Sequence, residues 1–447
     1  MTAQVNGVPS GRRTRRTLAT MAAAVVALAS LATGCFFFDA EPEELGVVWD
    51  TPEDRKTESQ GNGAWLSGDT LVRSRFDAVS GYDARTGKRS WEYVPPGRSA
   101  VCHVAADTDS SVLVLTRDGD GTSAPAKGKL CADVVAIDMN NGGEIWHTPL
   151  PALDPWATRL QSYTVSAGSG IAVLLRGDDL QAVDVRTGKT RWKAALPKGC
   201  VPGTTAVAER QVAALLACGG TEYLLGDKVP SDAELFVATF APATGALLWS
   251  APLKARTSVP WDARAEFVSA DPVVVAASDS GDSDSGGYLS FDRNGRPNPG
   301  IDFKGPYGEM QFHRRLTAAV DDTRLYLLPR KQGRLTRDDA YPLTTFDLAT
   351  GVVVWGGTAE DDRLDGATGY RVLAQNGKLT VLTSGPGDSS YGFRVLDAAT
   401  GEQREARSLP EGQDPADTLF TYKDRLIGAR YEHHTTSSKP FTAYERR

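Results

Sequence analysis

Ser80-Gly81-Tyr82-Asp83-Ala84-Arg85-Thr86-Gly87-Lys88-Arg89-Ser90-Trp91 is the stretch on which the fold turns. A small residue and an apolar one precede Asp83, Thr86-Gly87 follow it, and Trp91 stands eight residues beyond it. The same spacing returns from Ala136-Ile137-Asp138 to Trp146, from Ala182-Val183-Asp184 to Trp192, and from Thr345-Phe346-Asp347 to Trp355. Weaker copies run Phe240 to Trp249 (Ala241 for the Asp), Phe291 to Ile301 and Leu396 to Glu405, and Ala443-Tyr444-Glu445 is a last half-copy. The Asp-equivalent positions are 83, 138, 184, 241, 292, 347, 397 and 445, so the period is 46 to 57 residues. Strand-like units at that period mark a propeller or a solenoid.

The chemistry of the unit is readable. Apolar-polar alternation before the Asp and again before the Trp gives two strands. Between them the Asp side chain accepts from backbone amides just ahead of it, and Gly takes the positive-φ position of the turn. The Trp then presents a large flat surface at a fixed distance, burying ~150–250 Å² each time. Trp49, Trp91, Trp146, Trp192, Trp249 and Trp355 are therefore expected to dock neighbouring units together.

With its A-x-D-x-x-T-G-x-x-x-W pattern, the repeat resembles that of the quinoprotein-like (PQQ-like) β-propellers, including their bacterial lipoproteins. The resemblance covers nearly the whole chain after its N-terminal segment. It implies an all-β fold of four-stranded antiparallel blades, each Trp packed on the next blade. Leu45-Gly46-Val47-Val48-Trp49 reads as the second half of a repeat, and Phe441 to Glu445 as its missing first half. Joined, they complete an eighth unit and leave no sheet edge open at the seam. The expectation is a single eight-bladed propeller over residues 45–447, closed by pairing of its N- and C-terminal strands.

Residues 1–34 read as a lipoprotein-type signal peptide. Arg12, Arg13, Arg15 and Arg16 precede an uncharged run from Leu18 to Gly34, and cleavage would expose Cys35 for acylation, as with palmitate. Leu31 stands four residues before Cys35, one more than the lipobox spacing. Residues 35–44 form an acidic tether. With residues 1–34 set aside the net charge falls from −7 to −11, which disfavours nucleic acid and anionic lipid as partners. Cys102, Cys131, Cys200 and Cys218 remain as an even set; three pairings are possible, and local ones, Cys102–Cys131 and Cys200–Cys218, are favoured in an exported chain.

No nucleophile–base–acid set, phosphate loop or nucleotide fingerprint appears, so the chain is read as a non-enzyme without cofactor or metal. The quinone enzymes of the family carry an adjacent Cys-Cys pair, and no two Cys are adjacent here. Asp279 to Asp284 lacks the bidentate Glu of a calcium loop, and His433-His434 reads as surface loop. Long insertions between second and third strands share one face with the connectors between units, where loop variation on a rigid scaffold places recognition. Arg330, Lys331, Arg334 and Arg337 form a basic insertion there, read as solvated charge or as a patch for an acidic partner. Trp156, Trp261 and Tyr307 fall in the connectors and join them as candidate contacts. The reading is a monomeric, lipid-anchored scaffold on the extracytoplasmic face of the cell membrane, binding protein or peptide. The alternatives are a quinone-dependent oxidoreductase and an envelope assembly factor.

Overall fold

The computed structural model describes residues 42–54, 62–118, 131, 133–150, 165–176, 178–219, 233–254, 259, 263–278, 285–310, 317–329, 343–358, 363–364, 367–385, 390–431 and 439–446. Residues 43–447 form one compact unit. Among the described residues it is all-β apart from one 3-10 turn, Pro96–Arg98, and none of its helices is long and apolar enough to cross a membrane.

The strands assemble as four-stranded antiparallel sheets, consistent with a β-propeller. Sheet I holds Gly63–Ser67, Thr70–Ser74, Val79–Asp83 and Arg89–Tyr93. Sheet II holds Val101–Asp107, Val112–Arg117, Asp133–Asp138 and Glu144–Pro149; sheet III holds Val165–Gly168, Ile171–Arg176, Asp179–Asp184 and Thr190–Lys193. Sheet IV runs Cys200–Val207, Val212–Cys218, Glu234–Phe240 and Leu247–Pro252; sheet V runs Ala265–Ala270, Val273–Ser278, Gly286–Ser290 and the very short Ile301–Asp302. Sheet VI follows with Ala318–Val320, Arg324–Leu327, Thr344–Asp347 and Val353–Gly356, and sheet VII with Thr368–Gln375, Lys378–Ser384, Tyr391–Asp397 and Gln403–Ser408.

Sheet VIII takes its strands from both ends of the unit: Thr418–Tyr422, Arg425–Ala429, Phe441–Arg446 and then Glu43–Asp50. Val47 lies opposite Tyr444 and Trp49 opposite Ala443, the antiparallel pairing expected of the two half-repeats. The strand starts at Glu43, two residues inside the expected tether. Glu43 and Glu44 run parallel to Arg407 and Ser408, joining sheets VII and VIII, and Arg407 pairs with the Glu43 carboxylate.

The core is divided between neighbouring sheets. Val273, Val275 and Ala277 pack against sheet IV, while Val274 and Ala276 of the same strand pack against sheet VI. Alternate side chains thus serve opposite neighbours, so all six residues of Val273–Ser278 are buried and the strand reads as one apolar run. The same division recurs at every junction. Val72 meets Leu113, Val114 meets Ala172, and Ile171 meets Val212, for I–II, II–III and III–IV. Tyr326 meets Val381 between VI and VII, and Phe393 meets Leu45 between VII and VIII. A further cluster joins Ile427 and Phe441 of sheet VIII to Leu71 and Tyr82 of sheet I.

Candidate functional site

Each repeat turn is built as its residue types dictate. Asp83 Oδ1 accepts from the backbone N–H groups of Arg85 (2.9 Å) and Thr86 (3.0 Å) and from the Thr86 hydroxyl (3.1 Å). Asp184 repeats this with Arg186 and Thr187, and Asp397 with Ala399 and Thr400. The glycine that follows, at φ +69° in Gly87 and Gly245, closes the turn. It also does something that turn chemistry alone does not reveal. Trp192 of sheet III lies so close over Gly245 of sheet IV that a Cβ there would sit 2.5 Å from the indole. Trp49 covers Gly87, Trp91 covers Gly142, Trp146 covers Gly188, Trp249 covers Gly295, and Trp355 covers Gly401. Three indole N–H groups then donate to the next turn: Trp91 to Met139 O (3.2 Å), Trp146 to Val185 O (2.8 Å) and Trp192 to Pro242 O (2.7 Å).

Two junctions lack the indole. In sheet V the register sets Ile301 opposite Tyr288, so the Trp place, opposite Ser290, falls to Pro299 and not to Ile301 as the sequence spacing suggests; Pro299 covers Gly351 of sheet VI, its Cβ 3.3 Å from a Cβ added there. Glu405 stands there in sheet VII, and that junction is the one made by direct strand pairing.

Three of the turn carboxylates, Asp83, Asp184 and Asp397, are held below the ordinary carboxylate range by hydrogen bonds to their charged form. Arg191 hydrogen-bonds Asp184 at 2.5 Å, and together with the Thr187 amide and hydroxyl it lowers that carboxyl to about 2 from an ordinary 3.8. A depressed folded-state pKa contributes stability that is fully present above the ordinary value and is lost as pH falls through about 2. The melting temperature is therefore expected to drop between about pH 4 and pH 2, and Asp184→Asn to flatten part of that slope. Thermal melts of both proteins across the range check it; parallel profiles would remove Asp184 from the account.

Most of the candidate contact residues lie outside the described residues: Trp156, Trp261, Arg330, Lys331, Arg334 and Arg337, as do Cys35, Asp279 to Asp284 and His433-His434. Tyr307 is described, and it is not a surface contact. It is 9% exposed, meets Phe346 edge-on with ring centroids 4.9 Å apart, and donates its hydroxyl to Asp302 O. A hairpin, Lys304–Gly305 with Gly308–Glu309, folds the connector back so that the ring fills the core between sheets V and VI. Burial raises its pKa to about 12.

Both local cysteine pairs are disulfides. Cys200 and Cys218 face each other on adjacent strands of sheet IV, and Cys102–Cys131 closes the insertion of sheet II. Asp118 Oδ1 accepts from Cys131 N (2.8 Å) and lies 3.7 Å from Cys102 Sγ. These three side chains are clustered as metal ligands are, but the bonded sulfurs are not available as thiolates. The adjacent Cys pair of the quinone enzymes has no counterpart, since all four are held in these two bridges. The chain's cysteines do not fit that cofactor.

What the motif left unseen is a set of buried arginines where second strands end. Arg117 is 5% exposed; it donates to Tyr93 Oη (2.7 Å) and lies 3.7 Å from Asp133 and 3.9 Å from Glu144. Arg430, at 1% exposed, is held by Asp414 O (3.0 Å), Thr442 Oγ1 (2.9 Å) and Tyr444 Oη (3.0 Å). Arg73 occupies nearly the same place in sheet I, paired with Asp54; burial lowers its pKa to about 10. Aligning the strands before each insertion, not only the turns, brings these positions together. Beside Asp54 a cleft of about 640 Å³ opens, lined by Arg75, Asp77, Arg89, Glu92 and Arg98. Arg75 and Asp77 make a bidentate pair at 2.9 and 2.7 Å, so the two signs of charge largely neutralise each other.

Residues 131–217 match the family model described as outer membrane protein assembly factor BamB. No curated protein sequence matches the chain. Similar solved structures include BamB from Moraxella catarrhalis, at 14% identity over 90% of this chain and 99% of that one, TM-score 0.48. Quinohemoprotein alcohol dehydrogenase from Comamonas testosteroni is 13% identical over 90% of this chain and 76% of that one, TM-score 0.46. A eukaryotic initiation factor is 10% identical over 89% and 93%, TM-score 0.49.

Proposed function

We propose, from repeats of the PQQ-like type, that the chain is an eight-bladed propeller closed at sheet VIII, serving as a lipid-anchored binding scaffold for protein or peptide at the cell envelope. The observation that carries this is the continuity of the junctions. Core clusters link sheet I to II and so on to VIII, and VIII again to I, with Trp49 seated on Gly87 at the last step. A ring so tied is rigid, and rigid scaffolds recognise through the loops they carry.

The conspicuous pKa shifts serve structure. Asp184 is lowered by Arg191 and by its own turn; Tyr93 is raised to about 12 and Tyr307 likewise, both by burial. The match to an assembly-factor family favours a partner-binding role over catalysis. On this reading Cys35 carries lipid, and partners dock on the insertion face around Arg334 and Trp261.

Two measurements in intact cells test it. Cys35→Ser is expected to move the protein from the membrane to the soluble fraction, and photo-reactive residues at 261 and 334 are expected to crosslink to envelope protein. An unchanged membrane pool would refute the anchor. Silence at both positions would refute the docking face.

A further inference from the structure

Exposed large apolar side chains are few among the described residues, and their positions are patterned. Apart from Val94 they occupy the places just before a Trp in an outer strand: Val47 before Trp49, Leu247-Leu248 before Trp249, and Val352 to Val354 before Trp355. Sheets I and III carry Lys88-Arg89-Ser90 and Lys189-Thr190-Arg191 at the same places. Two of the three apolar strips therefore belong to sheets IV and VI. Between them stands sheet V, whose outer strand is only Ile301–Asp302 and whose junction with VI lacks the indole. The repeat is weakest in this sector, and its rim is most apolar.

A groove of about 480 Å³ crosses the same sector on the side of the Asp-bearing turns. Leu248, 51% exposed, lines it on sheet IV, and the buried Leu348 with Ala349 on sheet VI. Phe291 lies between them, its ring stacked on Trp249 at 5.5 Å. The charged lining is acidic in balance: Asp271, Asp292, Asp322 and Asp347 against Arg210 and Arg293. Arg210 is already committed to Asp271, at 2.5 and 3.0 Å. Asp322 projects furthest, its side chain 87% exposed and 3.9 Å from Arg210. The Leu247–Pro252 strand is the edge of sheet IV, with nothing paired to its outer side among the described residues.

We propose that this groove is a docking site for an extended segment of a partner protein carrying an apolar side chain between Lys or Arg residues. Each part of the occupant answers a part of the groove. Its apolar side chain covers Leu248, which is exposed beside the buried Phe291, and its basic residues meet the Asp292, Asp322 and Asp347 carboxylates that Arg293 alone does not neutralise. An extended conformation suits a cleft that runs from the start of an outer strand across the turns of three sheets. The site lies on the turn side, away from the insertion face, so either surface can fail in experiment while the other stands.

Fluorescence anisotropy on the folded protein tests the proposal with three labelled nine-residue peptides. The first alternates Lys or Arg with Leu and Val, the second replaces its basic residues by Glu, and the third replaces its apolar residues by Ser. The first is expected to bind and the other two not to. Leu248→Glu, at an exposed position that the fold does not need, is expected to weaken binding about ten-fold or more. Asp322→Lys is expected to weaken it several-fold and to reduce its salt dependence. Equal binding of the acidic peptide, or affinity unchanged in both variants, would overturn the proposal. So would sedimentation showing that Leu248→Glu splits a dimer while peptide binding is unaffected, since the occupant would then be a second copy of the chain.

Discussion

Deleting Phe441 to Arg447 is expected to abolish the folded state. The Phe441–Arg446 strand is an inner strand of its sheet, hydrogen-bonded to Arg425–Ala429 on one side and to Glu43–Asp50 on the other. Phe441, Thr442, Ala443 and Tyr444 are all fully buried. Phe441 and Ala443 fill the cluster shared with sheet I, and Tyr444 fills the one shared with sheet VII. The deletion also removes Thr442 and Tyr444 as acceptors for the buried Arg430 guanidinium. Two large aromatic side chains, a buried cation left short of partners and two strand edges together amount to on the order of 10 kcal/mol, as much as a whole domain's stability. The exposed edges of Glu43–Asp50 and Arg425–Ala429 then favour aggregation. Size-exclusion chromatography and circular dichroism melts decide the matter. A truncated protein that elutes and melts like the parent would mean that the Glu43–Asp50 strand finds its partner elsewhere.

Gly245→Ala is expected to be the most damaging of the conservative substitutions in the repeat turns. Gly245 has φ +69°, so any side chain costs about 1 kcal/mol or more in conformational strain. The new Cβ would also stand 2.5 Å from Cε3 and 2.6 Å from Cδ2 of Trp192, and the indole, hydrogen-bonded to Pro242 O, cannot withdraw without losing that bond. A loss of about 3 kcal/mol follows from strain and overpacking together. Gly377→Ala is the control, because Gly377 has φ +71° but nothing within 4 Å of its added Cβ. It is expected to show the strain alone. Pairing Gly245→Ala with Trp192→Leu should recover part of the loss, a non-additivity of 1 kcal/mol or more. Equal destabilisation at 245 and 377, measured by denaturant unfolding, would show that the tryptophan seat contributes nothing.

The candidate site was less legible than the fold. Tyr307 sits in a connector, and a connector aromatic reads as a surface contact. The hairpin that folds it back is only two residues on each side, Lys304–Gly305 and Gly308–Glu309, too short to announce itself by alternation. The buried arginines were hidden for another reason. Arg117 and Arg430 close apolar strands, where a charged residue ordinarily signals the start of a solvated loop. Only the folded chain brings Tyr93, Asp133 and Glu144 around the first, and Asp414, Thr442 and Tyr444 around the second.

By itself the sequence determined the repeat, its turn and the pairing of its ends. Asp-x-x-Thr-Gly is local chemistry: Asp83 accepts from amides two and three residues ahead, contacts set by chain geometry before any tertiary structure exists. The half-repeats at Leu45 and Phe441 found each other because each carries one side of the same alternating pattern. The cysteine pairs likewise lie within single sheets, 29 and 18 residues apart. Tertiary structure alone decided what each glycine and each groove would be used for. Gly245 is a turn residue in the sequence and becomes the seat of Trp192 only when sheet III lies against sheet IV. Leu248 and Asp322 are 74 positions apart, on sheets that are not neighbours, and line one groove only because the turns of sheet V lie between them and complete it. A repeat specifies what each unit does to the next; where a unit is incomplete, the surface that results depends on three units at once, and no local pattern encodes that.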